Sequence, residues 1–219
     1  MTPIIRTAGG VTLIGGGDVA ADDVAAAQAI APMLMAADSG ADAALALGLV
    51  PDAVVGDFDS IGGAARAAIP AERLHRIAEQ DSTDFDKCLR NIDAGFVLAL
   101  GFAGPRLDHA LAVMSTLCRR SGPPCLVIGA ADVVFAAPPR LALDLPTGTR
   151  VSLMPFGPVA GTSDGLRWPI DGVALSPVER VGTSNEATGP VRLALDGPCL
   201  VILPKAHLRA ALAAIAPQH

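Results

Sequence analysis

Short apolar runs punctuate the first half of the chain: Val11–Ile14, Met33–Ala37, Ala53–Gly56, Leu74–Ala78 and Phe96–Gly101. Each is too brief for a helix, and most are bounded by glycine, aspartate or proline, which predicts buried strands. Alanine-rich segments between and after them predict helices near 20–31, 41–48, 62–69, 84–94 and 107–120. The fourth has the clearest helical spacing, with Phe85, Cys88, Leu89 and Ile92 at i, i+3, i+4 and i+7. Thr83 suits its N-cap and Gly95 its stop. Alternation of this kind predicts a doubly wound, mostly parallel α/β domain with helices on both faces of the sheet.

After "SGPPC" (121–125) the texture changes. Proline and glycine recur, helical spacing disappears, and alternating runs appear: "RLALDL", "RVSLMPF", "VRLALDG" and "CLVILP". That pattern predicts a C-terminal antiparallel, β-sandwich-like domain. Helical character returns only in "AHLRAALAAIA". The expected division is 1–122 and 123–219.

Composition narrows the function class. Of 219 residues only 17% are charged, and the net charge is −6 with no basic cluster, which argues against a nucleic-acid partner. No apolar run approaches the roughly 18 residues of a membrane span. The first residues lack the charged and apolar regions of a signal peptide, so the expected location is the cytoplasm. Four cysteines without a CxxC spacing predict reduced thiols rather than a disulfide or zinc framework.

The candidate chemistry lies in the loops after the predicted strands: "GGGD" (15–18), "ADSGAD" (37–42), "GDFDS" (56–60), "EQDSTDFD" (79–86) and "GFAGPRLDH" (101–109). In an open parallel sheet these loops emerge at one edge, outside the carboxyl ends of the strands, where ligands bind. Carboxylates gathered there repel one another unless cations intervene, and hard oxygen donors around phosphates point to Mg²⁺. If residues 56–59 stay extended, Asp57 and Asp59 share one side while Phe58 anchors the other. Asp84 and Asp38 are further candidate ligands, although Asp84 equally suits ordinary charge at a helix N-terminus. Lys87 reads either as a solvated helix lysine or as a phosphate-facing cation. Asp81 reads as a turn residue or a ligand through water. "GGGDVA" also satisfies a dinucleotide fingerprint, with Asp38 placed as its ribose-binding acid, so a nicotinamide-dependent oxidoreductase is the rival reading.

"PDAVVGDFDSI", "QDSTDFDKCL" and "GFAGPRLDHALAVMSTL", preceded by "ADSGAD", resemble the thiamine pyrophosphokinase family, as do the later "GLRW" and "GTSN". The resemblance implies an ATP-binding α/β domain, a β domain that completes the thiamine site, and a homodimer. It also implies Mg²⁺-dependent transfer of diphosphate from ATP to the hydroxyethyl group of thiamine, giving thiamine diphosphate and AMP. Carried over by motif, Asp57, Asp59 and Asp84 would handle Mg²⁺ and diphosphate. Asp57, Asp59, Asp84 and Asp108 remain alternatives for accepting the hydroxyl proton. Gln80, Asp81, Thr83, Ser184 and Asn185 would bind substrate. Gly16, Gly17, Asp38, Lys87 and Arg106 would meet ATP. The chain departs from the family pattern at Ser39, Asp42 and Pro105. A serine at position 39 suggests an altered turn, which leaves a non-catalytic thiamine or nucleotide sensor as a third reading.

Overall fold

The computed structural model describes residues 2–104, 106–119 and 122–216; Pro105 lies outside them. Contacts divide the chain into two compact units, Met1–Thr116 with Ser121–Ile128, and Leu117–Arg120 with Gly129–His219.

In the first unit β1 (Ile5–Arg6) and β2 (Gly10–Ile14) precede α1 (Ala21–Ile30) and β3 (Met33–Ala37). α2 (Gly40–Ala46), β4 (Ala53–Gly56), α3 (Gly63–Ala68) and β5 (Leu74–Arg76) continue the alternation. Then come α4 (Asp84–Leu89), β6 (Ile92–Asp93), β7 (Phe96–Leu100), α5 (Leu107–Arg119) and β8 (Cys125–Ile128). The main sheet runs β8-β7-β2-β3-β4-β5 with every pairing parallel. β2, β4 and β8 are wholly buried, as expected of strands covered on both faces. β8 lies beyond the change in texture at residue 122, yet it pairs in parallel with β7.

Helix α4 ends at Leu89, five residues before the sequence-based limit of 94. The Asn91 side chain donates to the Lys87 carbonyl (2.8 Å), and the Asn91 carbonyl accepts the backbone N–H groups of Ile4 and Ile5. Ile92 then pairs with Ile5 in a short parallel ladder instead of completing a helical stripe. Gly95 is not a helix stop either: it donates to the Gly9 carbonyl, and a Cβ there would press on the Ala8 carbonyl at 2.7 Å. Competing tertiary hydrogen bonds explain both differences.

The second unit contains β9 (Asp132–Ala136), β10 (Arg140–Leu143), β11 (Arg150–Pro155), β12 (Ala160–Leu166), β13 (Gly182–Asp196), β14 (Cys199–Pro204) and α6 (Leu208–Ile215). All its named strand pairings are antiparallel. β13 serves two sets of partners: its start pairs with β11, and its later residues pair with β10 and β12. Gly189, at φ +152°, lies between these parts, as at a strand that switches sheets in a sandwich. Val191, Leu193 and Leu195 face inward in strict alternation. The architecture is mixed α/β, with a mostly parallel N-terminal sheet and antiparallel C-terminal strands. Among the described residues no helix is long and apolar enough to cross a membrane.

Candidate active site

Because the six strands run parallel, the loops after β2, β3, β4, β5 and β7 leave one edge of the sheet. The order reverses at β2: later strands extend to one side through β3, while β7 and β8 lie on the other. That crevice is where such sheets bind ligands. At this edge a cavity of about 810 Å³ opens within the first unit. Gly16 and Gly17 line one side of it, and Gly17 donates to the Gly101 carbonyl at 3.0 Å, locking the two switch-point loops together. A Cβ on Gly17 would lie 2.7 Å from that carbonyl oxygen.

The loops after β3 and β4 are tied by carboxylates. Asp38 is 2% exposed, and its Oδ2 accepts the Phe58 N–H at 3.1 Å. Asp42 Oδ2 accepts the Gly62 N–H at 2.9 Å at the start of α3. Two residues of "ADSGAD" thus set both ends of the "FDSIG" turn. The 56–59 segment does not stay extended: Phe58 adopts φ +65°, and the Asp59 N–H bonds Asp57 Oδ1 at 3.2 Å. Phe58 still anchors the loop, packing with Ile61 and Leu74 against the cluster of Ala36, Ala41, Val54 and Ile69. Ser39 takes an ordinary right-handed φ of −60°, and Asp38 takes a left-handed one, at +43°. Aspartate tolerates that region better than most residues.

The result brings carboxylate oxygens of Asp38, Asp57 and Asp59 within 4.8 Å of one another. Asp38, the further candidate ligand, joins this group, and Asp84 lies outside it. Burial, reinforced by the charge of Asp84, pushes the Asp38 carboxyl above its ordinary pKa. Asp57 is shifted down, chiefly by the Gln80 amide, which donates to Asp57 Oδ2 at 2.8 Å. Asp38 Oδ1 is buried with no hydrogen-bond partner. Three converging hard donors, one with an orphaned oxygen, fit a small divalent cation such as Mg²⁺.

Thr83 caps α4, its hydroxyl accepting the Asp86 N–H at 3.3 Å. The first turn of α4 then presents Asp84 to the cavity, where Lys87 meets it at 3.0 Å. Lys87 also lies 3.9 Å from Asp57 Oδ2 and is 2% exposed, so it is no solvated helix lysine. The signal available in sequence was its place one turn after Asp84. Asp81 is exposed and outside the cavity lining. Phe102, not singled out from sequence, lines the cavity and packs on Phe85 at 4.7 Å between ring centroids.

Arg106 lines the cavity but is exposed, and it forms a two-point bond with Asp108 at 3.3 and 2.7 Å. That guanidinium holds the Asp108 carboxyl down at about 2, which makes it a poor proton acceptor. In the second unit Ser184 is exposed at φ +61°, its N–H held by the Ser152 hydroxyl at 3.0 Å. The Asn185 side chain is committed elsewhere. It accepts from Trp168 N and Glu186 N and donates to the Trp168 carbonyl. Trp168 is 55% exposed, with the Arg167 guanidinium 5.0 Å from its ring centre. That exposure excludes core packing for this residue and leaves its ring free to stack.

The dinucleotide reading loses its acid, because Asp38 points into the acidic cluster and holds the Phe58 amide. Comparison with known proteins agrees. The family model "Thiamin pyrophosphokinase, catalytic domain" matches residues 26–127, and "Thiamin pyrophosphokinase, vitamin B1 binding domain" matches residues 140–200. Thiamine pyrophosphokinase 1 of Oryza sativa subsp. japonica is 29% identical over 154 residues, which span 62% of this chain and 58% of that protein. Among solved structures, the thiamin pyrophosphokinase of Candida albicans superposes with a TM-score of 0.76 at 16% identity, covering 90% of this chain and 88% of that one. The thiamine pyrophosphokinase of Bacillus subtilis gives 0.72 at 20% identity, covering 89% and 98%. With a catalytic and a vitamin-binding domain matched in order along one polypeptide, this chain belongs to the thiamin pyrophosphokinase family.

Proposed function

We propose that the protein transfers the terminal diphosphoryl unit of ATP to the hydroxyethyl oxygen of thiamine, giving thiamine diphosphate and AMP. The observation that carries this reading is the convergence of Asp38, Asp57 and Asp59 at the switch-point cavity, beside a buried lysine. Family membership narrows the phosphate chemistry to thiamine.

Asp38, Asp57 and Asp59 would hold Mg²⁺, which when bound neutralises phosphate oxygens and polarises the phosphorus under attack. Around it the chain positions more than it reacts. Gln80 fixes the orientation of Asp57 through its 2.8 Å bond. Lys87 keeps a positive charge against Asp84 and Asp57 where developing phosphate charge needs it. The glycine turn at 16–17 lets phosphate approach the backbone closely, and Arg106 can leave its exposed partner Asp108 for a phosphate. Asp84 reaches the cavity beside these groups and is the proposed acceptor of the thiamine hydroxyl proton. Gln80 and the exposed Ser184 are the proposed thiamine contacts, with Asn185 acting indirectly by fixing Trp168. The first unit binds ATP, the second recognises thiamine, and the working form is a cytoplasmic homodimer.

Incubating the protein with ATP, MgCl₂ and thiamine and separating products by chromatography tests the reaction. The expected result is thiamine diphosphate and AMP in equal amounts, lost in Asp57→Asn with the fold intact. Formation of ADP with thiamine monophosphate, or a near-normal rate for Asp57→Asn, would overturn the reading.

A further inference from the structure

The loop joining β5 to α4, residues 77–83, carries Gln80 but has little backbone bonding to hold it in place. Ile77 N–H reaches the Gly56 carbonyl at 2.8 Å. Beyond that point side chains tie the loop down. Glu79 Oε1 accepts from the Ser82 hydroxyl and from Arg90 Nη2, each at 2.5 Å. Gln80 Nε2 sits on Asp57. Arg90 itself stands on a fixed post: it is the C-cap of α4, whose residues Phe85 to Leu89 are all buried. Its side chain is only 21% exposed, and its Nε is buried without a hydrogen-bond partner. A lysine would leave no such orphan, so the guanidinium is explained by what its far end grips.

We propose that Arg90 is a positioning residue: by clamping Glu79 it holds the 77–83 loop so that the Gln80 amide stays on Asp57. A partly exposed ion pair contributes too little to stability to matter to the fold. It is enough to decide between the few arrangements of a loop that has no ladder to join. Hydroxyl and guanidinium donors also keep the Glu79 carboxyl below its ordinary range, so the clamp stays charged under ordinary conditions. The kinetic consequence rests on the phosphokinase reading; the clamp itself does not.

The test uses Arg90→Met, Arg90→Lys, Glu79→Gln and the charge-exchanged pair Glu79→Arg with Arg90→Glu. Backbone amide order parameters of residues 77–83 from NMR relaxation are read beside melting temperature and steady-state kinetics. Arg90→Met should lower the order parameters in this loop alone and raise the KM for thiamine about tenfold, with the KM for ATP changed less than about twofold. Arg90→Lys and the exchanged pair should recover part of the loss, and Glu79→Gln should fall between. Unchanged order parameters in Arg90→Met overturn the clamp. Lowered order throughout the protein shows a general structural role and overturns positioning, as does a looser loop with unaltered kinetics. Should the wild-type protein form no thiamine diphosphate, the function proposal fails while the relaxation experiment still decides the clamp.

Discussion

Asp38→Asn separates stability from metal binding at a single atom. In the metal-free protein the Asp38 carboxylate is buried, one oxygen lacks a partner, and both desolvation and Asp84 disfavour its charge. Asparagine has the same shape and adopts the left-handed φ of this position readily. Its Oδ1 can still accept the Phe58 N–H, and its amide can donate to the neighbouring carboxylates of Asp57 and Asp59. A buried polar group left without a partner costs about 1–3 kcal/mol. Relief of part of that cost, about 1 kcal/mol, corresponds to roughly 2–4 °C in a chain of this size. The variant should therefore be more stable than wild type in EDTA, and Mg²⁺ should stabilise wild type but not the variant.

The pH dependence gives the sign independently. A carboxyl whose folded pKa is raised binds its proton more tightly in the folded state. Its contribution to stability is thus present at low pH and lost as pH rises through the folded pKa. Asp57 behaves in the opposite sense: its depressed pKa contributes stability above the unfolded value, lost as pH falls through the folded one. Asp38→Asn removes the first effect. Thermal unfolding in EDTA, followed from the ordinary carboxylate range upward in pH, should show the variant's advantage greatest at the alkaline end and shrinking towards acid as Asp38 protonates in wild type. A variant less stable than wild type across this range, or one still stabilised by Mg²⁺ to the same degree, would refute the reasoning.

Lys87→Met should cost about 1–3 kcal/mol of metal-free stability, below the usual cost of breaking a buried pair because Asp84 is a third exposed. The same change should tighten Mg²⁺ binding about tenfold by removing a competing cation 3.9 Å from Asp57, while turnover falls about a hundredfold; calorimetry and the product assay would show the opposite movements. Asn185→Ala strips the bonds that fix the Trp168 backbone, so acrylamide should quench the single tryptophan more strongly. Asn185→Asp keeps both acceptor bonds and should lie nearer wild type; equal quenching in all three proteins would remove Asn185 from this role.

The sheet and its acidic edge were legible because a parallel sheet turns a one-dimensional pattern into a place: the loops after successive short apolar runs must all emerge side by side. Met33–Ala37 and Ala53–Gly56 were readable to the residue, since Pro32, Asp38, Asp52 and Asp57 bound them. The conformation of the loops was not legible. Alternation assumes an extended backbone, whereas Phe58 turns left-handed because Asp38 pulls its N–H inward and the Ala36–Val54 cluster receives its ring. The first cause, and part of the second, comes from another strand. α4 was overextended for the same kind of reason, since Ile92 fits the helical stripe but finds Ile5 first.

Charge was the least readable property. Asp38, Asp57, Asp59 and Asp84 are alike in sequence; what distinguishes them is the nearest donor. Asp84 has Lys87, Asp57 has Gln80, and one oxygen of Asp38 has nothing. An unsatisfied buried oxygen beside two further carboxylates is a costly arrangement in an isolated protein and a sensible one in a protein that spends its working life with a cation bound. Ser39 fits the same account. At this departure from the family pattern the serine backbone is right-handed and the left-handed φ falls at Asp38, whose carboxylate faces inward. The loop that carries Ser39 thus still delivers Asp38 to the acidic cluster, which favours retained chemistry over a sensor that has lost it.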